Sequence, residues 1–359
     1  NVNSKIGALV ENGAISDEEA DTLRESARTA LLDQLKPAYD RLAAWVENEI
    51  PLAEENASGV GKLPNGEAYY AYQLASNTTT DMSPEQVHEL GLTEVARLRG
   101  EMEQIMHAVG FEGDLQAFFA FVRDSEQFYF PDTDEGRQAY IDAVEDKLDF
   151  INERLPDYFG LLPKADLVVK RVEPFREQDG AAQHYMPSTP DGSRPGIYYI
   201  HLSDMTAMPK PQLEVIAYHE GNPGHHMQNS IARELENTPT FRTQANFSAY
   251  GEGWGLYSEL LAREMGAYDD PYSDFGRLSS EMWRALRLVV DTGLHSKGWT
   301  EQDAIDFIVQ NSPEPMESVI SEVRRYIVWP GQATSYKVGM IKILEMRARA
   351  QQALGEAFD

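Results

Sequence analysis

The sequence predicts a mainly α-helical (α+β) fold with one small β-sheet, and three observations lead to this prediction. Most of the chain carries apolar residues at helical spacing, with helix-start signals ahead of them. Only the segments 166–172 and 196–202 are rich enough in β-branched and aromatic residues to be strands. Because the second of these ends shortly before the helix that carries His219, we expect the sheet to lie beside that helix.

Helix-start signals divide the first half of the chain into long helices. Ser16 and Glu19 have the spacing of a capping box, in which each side chain satisfies a backbone donor of the other. Pro37 lacks the amide donor of a helix interior, so we expect the helix that follows the box to bend there. Pro84 suits the first turn of the next helix. The helices predicted in this half cover 16–49, 83–109, 114–124 and 135–155.

The second half contains the strands and a further series of helices. Pro209 and Pro211 fit the start of the helix that carries His219. The helices predicted after it lie near 246–265, 273–297, 301–310, 316–328 and 332–353. Because nearly all functional motifs lie in this half, we expect an N-terminal helical region (1–160) and a catalytic region (161–359). The boundary is loose, and one continuous domain is the alternative.

Composition argues against several classes of protein. The 359-residue chain carries 31 basic and 59 acidic residues, a net charge of −28. This charge opposes binding to nucleic acid and to anionic membrane surfaces, and it is compatible with a highly soluble exported or salt-adapted protein. The chain has no cysteine, so no disulfide and no thiol chemistry is available. It has no apolar run long enough for a transmembrane segment. Any targeting segment or lipid anchor would lie outside it, and the sequence does not fix the oligomeric state.

Three of the chain's eight histidines fall within the run HEGNPGHHMQ, which covers residues 219–228. A helical His followed by Glu, with another His downstream, is how zinc hydrolases hold a metal ion and a general base together. On a continuous helix, His219 and His225 would be separated by a rise of about 9 Å and would lie on different faces. His226 would share the face of His219 but would lie about 10.5 Å along the axis, too far for one ion.

Pro223 and Gly224 offer a way to bring the histidines together. Pro223 removes a backbone donor, and its ring clashes with the carbonyl of His219 in a helix. Gly224 tolerates backbone angles that other residues avoid. We therefore predict that two residues are looped out within 221–224, which places His225 beside His219 as the second zinc ligand. The alternative is a helix that simply ends here, followed by a loop with two surface histidines.

Glu252 is the candidate for the third zinc ligand, since a catalytic zinc ion usually has three protein ligands and one open position. It lies between two glycines and beside Trp254 and Tyr257, rather than in a run of charged residues. A solvated helical glutamate is the alternative. Glu259, seven residues further along the same helical face, is the fallback ligand.

Five runs of residues carry a resemblance to a known family. The runs are 191–196 (DGSRPG), 219–228, 251–259 (GEGWGLYSE), 291–299 (DTGLHSKGW) and 325–339 (RYIVWPGQATSYKVG). From about residue 66 to its end, the chain resembles the bacterial "domain of unknown function 885" family, which is placed with zinc peptidases of the gluzincin type. The resemblance implies a large helical zincin-like domain, metallopeptidase activity and, often, an exported periplasmic or membrane-anchored lipoprotein. It does not imply a substrate.

The predicted mechanism assigns roles to several side chains around the ion. Zinc would lower the pKa of a bound water and polarise the scissile carbonyl, and Glu220 would act as general base and then deliver the proton to the leaving amine. The oxyanion needs a donor besides the metal, and the candidates in order are Tyr336, Tyr326 and His295. Arg325 is the candidate for binding a substrate carboxylate, as in a carboxypeptidase or dipeptidase. Packing and surface roles are the alternatives for these tyrosine and arginine side chains.

Three further residues are predicted near the substrate. His226 competes with His225 as a ligand or complements it as a neighbouring hydrogen-bond donor. The sequence favours His225 as the ligand, because it directly follows the Pro-Gly break. Gln228 is predicted to hydrogen-bond within the cleft. Tyr199 lies in the strand ahead of the metal helix, and an edge strand at this place could pair with an extended substrate backbone; an ordinary core strand is the alternative.

The function predicted from these residues is a zinc-dependent hydrolase that cleaves short peptides, with Zn²⁺ as the cofactor. Two alternatives belong to other classes. One is an inactive relative that binds a peptide or another ligand; the intact set of His219, Glu220, His225 and Glu252 speaks against it. The other is a metal-dependent hydrolase of a small non-peptide amide or ester, because the same zinc-activated water serves both reactions.

Overall fold

Two compact units make up the computed structural model, Asn1–Asn56 and Ala57–Asp359. The structure describes residues 2–53, 56–177, 181–235 and 238–358. Along the chain, the first unit ends at Asn56 and the second begins at Ala57. All of the candidate functional residues belong to the second unit.

The first unit consists of three helices, α1 (Val2–Glu11), α2 (Asp17–Ala30) and α3 (Lys36–Glu49). The predicted capping box is confirmed, because the Ser16 hydroxyl accepts from the Glu19 amide and the Glu19 carboxylate accepts from the Ser16 amide. A π-helical segment, Leu31–Leu35, joins α2 to α3 directly ahead of Pro37. Proline cannot donate to the carbonyl four residues earlier, so the widened turn occurs where the sequence predicts a bend.

The second unit contains the remaining helices and the sheet. Its helices are α4 (Gly66–Thr78), α5 (Pro84–Ala108), α6 (Leu115–Asp124), α7 (Asp134–Asn152), α8 (Leu155–Tyr158), α9 (Lys210–Glu220), α10 (His225–Glu234), α11 (Thr240–Gln244), α12 (Ser248–Glu264), α13 (Pro271–Ser296), α14 (Glu301–Val309), α15 (Met316–Val328) and α16 (Ser335–Leu354). The mainly helical fold is confirmed. The sequence analysis missed α1, α4, α8 and α11. At α4 the signal was weak, because Asn65 has a φ of 60° and makes no side-chain cap.

The sheet has three strands, β1 (Leu167–Arg171), β2 (His184–Met186) and β3 (Gly196–Ile200), in the order β1-β3-β2. Strands β1 and β3 pair in parallel, whereas β2 pairs with β3 in the antiparallel sense. The two predicted strands are confirmed, and the three-residue β2 was not predicted. Strand β3 is the centre of the sheet and is buried along its whole length.

Helix α9 carries the histidine motif and is held on two sides. One face packs Leu213 and Ala217 against Tyr198 and Ile200 of β3. The other face belongs to the apolar cluster around Leu256 of α12. Each fully buried aliphatic or aromatic side chain of this kind contributes about 1.5–3 kcal/mol. The sheet thus lies beside α9, as predicted, and α9 is fixed between it and α12.

Helix α13 runs through the second unit, and every residue from Phe275 to His295 is buried except Arg284. It approaches α9 closely, because a Cβ atom at Gly276 would lie 1.7 Å from the carbonyl oxygen of Pro211. Among the residues that the structure describes, none of the helices has the length and apolar character needed to cross a membrane.

Candidate metal centre

The chain breaks the helix between the two predicted histidine ligands. Helix α9 ends at Glu220, a turn follows over residues 221–224 and includes a cis Asn222–Pro223 peptide, and α10 begins at His225. The predicted break is therefore present, but it separates two helices instead of looping two residues out of one. The alternative of a surface loop is wrong, since His225 opens a new helix and His226 is 1% exposed.

Gly224 is required by the close approach of the turn to the end of α9. A Cβ atom at this position would lie 2.0 Å from the carbonyl oxygen of His219 and 2.3 Å from that of Tyr218. Both are backbone atoms, so no side-chain movement could relieve the overlap. Only glycine lets the start of α10 lie this near α9, and this brings His225 to His219.

The three predicted ligands converge. The Oε2 atom of Glu252 lies 3.4 Å from Nε2 of His225 and 3.8 Å from Nε2 of His219. The two imidazole rings are 4.8 Å apart between centroids and nearly perpendicular. Glu220 joins the group, since it, His219 and His225 each offer a ligand atom within 4.8 Å of the others.

These distances fit a zinc ion. Ligand atoms that each lie about 2.0–2.1 Å from a tetrahedral zinc are about 3.3–3.4 Å from one another. The His225–Glu252 distance of 3.4 Å has this value, and the His219–Glu252 distance of 3.8 Å needs only a small closure. Imidazole nitrogen and carboxylate oxygen are also donors that zinc accepts.

Glu259, the fallback ligand, has a different role in the structure. Its Oε1 atom lies 2.7 Å from Nδ1 of His219, and both side chains are buried. A carboxylate that accepts from Nδ1–H fixes the ring orientation and leaves Nε2 as the atom that can bind a metal, which is a common arrangement behind metal-bound histidines. Nε2 is also the His219 nitrogen that faces Glu252, so the two contacts agree on which atom is available to a metal.

The glycine-rich segment that contains Glu252 lets α12 pass close to the histidines. A Cβ atom at Gly255 would lie 2.8 Å from the imidazole of His219. The indole nitrogen of Trp254 donates to the carbonyl of Pro223 at 2.8 Å, which ties α12 to the turn. The glycines around Glu252 are thus explained by the close packing of α12 against the histidine motif, which precedes it in the chain.

The site is strongly ionic without a metal. Burial opposes protonation of His219, but the nearby carboxylates of Glu252 and Glu259, the second of them hydrogen-bonded to the ring, outweigh it and raise the pKa of His219 to about 9. Burial alone would raise the pKa of Glu252, yet its bonds to His219 and His225 hold that pKa far below its usual range. Carboxylates clustered around imidazoles in this way attract a cation.

A cavity of about 2010 Å³ opens onto this group. Its lining includes His219, Glu220, His225, Glu252 and Tyr336. Within the described part of the chain, no residue hydrogen-bonds to the Glu220 carboxylate, so it is available to a molecule in the cavity. Burial, followed by the charge of Glu252, raises the pKa of Tyr336, so its phenol stays protonated and can donate.

Two of the three predicted oxyanion donors do not line this cavity. Tyr326 is 1% exposed, donates to Glu322 at 2.8 Å and accepts from Arg287 at 3.0 Å. His295 accepts from the Val60 amide at 3.0 Å through Nδ1 and donates to the Tyr326 carbonyl at 3.0 Å through Nε2. The roles predicted for Tyr326 and His295 do not fit these positions, because their polar groups hold core elements together. Tyr336 is the candidate that lies in the cavity.

His226 also serves the fold rather than the site. Its Nε2 atom donates to the Ala165 carbonyl at 3.0 Å, and Nδ1 accepts from the Tyr185 hydroxyl at 3.1 Å. Both nitrogens are therefore occupied, and His225 is the histidine that faces the candidate metal position. Gln228 does line the cavity, where its amide donates to the Tyr250 carbonyl at 3.0 Å.

The predicted role of β3 as a substrate-pairing edge is wrong, since β1 and β2 occupy both of its edges. Tyr199 is 8% exposed and stacks on His184, with ring centroids 5.3 Å apart, and it is not part of the cavity lining. Arg325 is also outside the lining and bonds to Glu322 and Gln332.

Sequence reasoning missed Arg284 and Arg287, which line the cavity where Arg325 was expected. The sequence contained a signal for a functional role of these arginines, because they lie three residues apart within an apolar stretch of α13. Charged residues are rarely buried unless they are paired or functional.

Known structures resemble this one closely. A protein described as the putative lipoprotein from Colwellia psychrerythraea shares 36% identity over 96% of this chain, with a TM-score of 0.91. A putative lipoprotein of unknown function from Shewanella oneidensis shares the fold at 20% identity over 98% of this chain, with a TM-score of 0.69. This chain spans 59% and 64% of those two proteins.

Sequence comparison places the chain in a family without assigning an activity. No curated protein matches it. The family model described as "Bacterial protein of unknown function (DUF885)" matches residues 2–359. The match therefore begins well before residue 66, where the sequence analysis placed the start of the resemblance. The chain therefore belongs to the DUF885 family of bacterial proteins.

Proposed function

We propose that this protein is a zinc-dependent hydrolase that cleaves short peptides. The observation that carries the proposal is that, at the cavity, Glu252 Oε2 lies 3.4 Å from His225 and 3.8 Å from His219, while Glu220 offers a ligand atom within 4.8 Å of both histidines. Three protein donors and one open side are the composition of a catalytic zinc site, whereas a structural zinc site is closed by four ligands.

The residues that would hold the ion are Nε2 of His219, the imidazole of His225 and the carboxylate of Glu252. Glu259 would keep the His219 ring in place through its bond to Nδ1. When bound, zinc supplies a water with a pKa near 7 and a Lewis acid that polarises the scissile carbonyl.

Glu220 is the proposed general base. It directly follows the proposed ligand His219 and lines the cavity. None of the described residues hydrogen-bonds to its carboxylate. It would accept a proton from the attacking water and release it to the leaving nitrogen, so it ends the cycle ionised again. Tyr336 would donate a hydrogen bond to the oxygen that gains negative charge.

Replacing Glu220 by glutamine tests this assignment. Glu220→Gln should bind zinc as the native protein does but lose at least about 10²-fold in turnover, since a general base contributes about 10²–10⁴-fold. Zinc content is measured on protein purified without chelators, and turnover with a library of short peptides. Glu264→Gln on α12 is the matched control, because Glu264 pairs with Arg347 outside the cavity.

A Glu220→Gln protein that still hydrolyses peptides at the native rate would show that this base assignment is wrong. Native protein without stoichiometric zinc would favour a ligand-binding protein instead. Testing acyl amides and esters beside the peptides would show whether the substrate is a peptide or another carbonyl compound, because zinc-activated water attacks all three.

For the whole protein we propose a location outside the cytoplasm, as an exported lipoprotein. The Colwellia psychrerythraea relative is described as a putative lipoprotein, and the charge of −28 is compatible with export. Fractionation of cells that express the full-length protein would show it in the membrane fraction. Its recovery with cytoplasmic markers would contradict this location.

A further inference from the structure

We propose that Arg284 and Arg287 form a subsite that binds a carboxylate of the substrate. The inference rests on the proposed peptidase function and names a chemical feature of its substrate. Both arginines lie on α13 and line the cavity onto which the candidate metal centre opens. A carboxylate bound here would belong to a molecule that also reaches Glu220.

Tyr336 connects this subsite to the metal centre. The guanidinium carbon of Arg287 lies 4.6 Å from the centroid of the Tyr336 ring, and that of Arg284 lies 5.9 Å from it. Tyr336 is close enough to Glu252 for the charge of that carboxylate to affect its pKa, after the larger effect of burial. Tyr336 thus lies beside both guanidinium groups, in the cavity that Glu252 also lines.

The two arginines have donors that no described residue uses. Nη1 of Arg287 and Nε of Arg284 are buried and lack a hydrogen-bond partner among the described residues. Buried polar atoms in folded proteins nearly always have a partner, so each such atom calls for an explanation such as a ligand that is absent here. Arg287 is only 7% exposed but lines the cavity, from which a ligand would approach it.

The carboxylates nearby do not neutralise these charges fully. Glu322 bonds to Arg287 at 2.9 Å and also to Arg325 and Tyr326, so its oxygens are shared. Arg284 bonds to Ser280 alone, and no described carboxylate lies within ion-pair distance of it. Glu314 also lines the cavity, and it accepts from Gln212 instead; burial raises its pKa.

The guanidinium of Arg284 has no carboxylate partner in the described part of the chain, although the chain carries a net charge of −28. We therefore expect it to bind an anion from the substrate. Its planar set of N–H donors matches the two oxygens of a carboxylate, which it can bind through parallel hydrogen bonds. In a peptide, that carboxylate is either the free C-terminus or the side chain of an acidic residue. Both sources present a carboxylate, and the experiment below distinguishes the C-terminus from the acidic side chain.

The experiment measures binding to zinc-free protein, which keeps it independent of turnover. Isothermal titration compares three forms of one N-acetylated tetrapeptide: a neutral peptide with a free C-terminus, the same peptide as its C-terminal amide, and the amide with glutamate near its end. At least one carboxylate-bearing form should bind about 10- to 100-fold more tightly than the neutral amide, as expected for charge-assisted hydrogen bonds. Whichever carboxylate gives the gain identifies its source.

Variants test whether Arg284 provides this discrimination. Arg284→Gln should remove the difference between acid and amide, and Arg284→Lys should keep part of it, because lysine retains the charge without the planar donors. Arg123→Gln is the matched control, since Arg123 lines the same cavity but pairs with Asp124 at 2.8 Å; it should keep the full difference. Circular dichroism confirms that each variant is folded, and the lysine variant serves if the glutamine variant is not.

Two results would overturn the subsite: equal binding of all three peptides by the native protein, or a difference that stays undiminished in a folded Arg284→Gln or Arg284→Lys protein. Failure of the proposed function has another signature. A protein that binds the acid more tightly than the amide but never hydrolyses either, with zinc present, has the subsite without the peptidase activity.

Discussion

Replacing Glu259 with glutamine would test how the metal centre is organised. Glu259 contacts no substrate in the proposed function; it acts only through its 2.7 Å contact with Nδ1 of His219. Glutamine has nearly the same shape and can still accept the Nδ1–H bond. The substitution therefore removes the charge of this partner while it preserves the packing.

The expected loss is a tenfold to hundredfold decrease in zinc affinity, or about 1.4–2.7 kcal/mol, which is the usual effect of changing a carboxylate behind a metal-bound histidine. We expect the upper part of this range because His219 is 4% exposed and Glu259 is 1% exposed. Water cannot take over the role of the carboxylate at such a buried contact, and the low polarity strengthens its effect on the ring.

Competition with a chelating dye at fixed pH measures the zinc affinity of the native protein and of Glu259→Gln. Glu264→Gln, on the same helix but in an exposed ion pair with Arg347, removes the same charge away from the site and should leave the affinity unchanged. An affinity within twofold of native for a folded Glu259→Gln protein would refute the reasoning, since the His219 contact would then be a matter of packing alone.

Two further predictions concern stability. Gly224→Ala should destabilise the fold by about 3 kcal/mol or more and abolish zinc binding, because its Cβ would overlap backbone atoms at 2.0 Å; Gly251→Ala, with nothing within 4 Å, is the control, and urea unfolding measures both. Burial would raise the pKa of Glu322, but Arg287 and its neighbours outweigh it and hold the pKa at about 2, below the ordinary 4.5. Its contribution, on the order of 3 kcal/mol, is therefore present above pH 4.5 and lost as the pH falls towards 2. Glu322→Gln should lack this part of the acid dependence, and an identical pH profile for both proteins would show that the ion pair adds nothing.

Local signals in the sequence predicted most helices and pointed to the side chains that the structure brings together at the candidate metal centre. Capping residues and prolines act within one turn of the chain, so Ser16 and Pro84 could be interpreted without knowing their neighbours. The candidate ligands were recognised for a similar reason. His219 and His225 are close in sequence, and the Pro-Gly pair between them limits how the backbone can connect them.

The residues that sequence reasoning placed wrongly depend on contacts between distant segments. Whether β3 is an edge or a centre was decided by β2, a strand of three residues with almost no pattern of its own. The sequence offers both Tyr336 and Tyr326 as candidates, but in the structure Arg287 and Glu322 hold Tyr326 in the core, whereas Tyr336 reaches the cavity. Spacing along the chain carries no information about such partners.

The glycines of the two motifs show why the candidate metal centre needs both segments at once. Gly224 lets α10 start against the carbonyl of His219, and Gly255 lets α12 cross the imidazole of the same residue. A side chain at either position would push away one of the helices that present His225 and Glu252. The candidate ligands can meet only because α10 and α12 each approach His219 of α9 at a glycine, which has no side chain in the way. This part of the sequence therefore specifies the space around His219 as much as the ligands themselves.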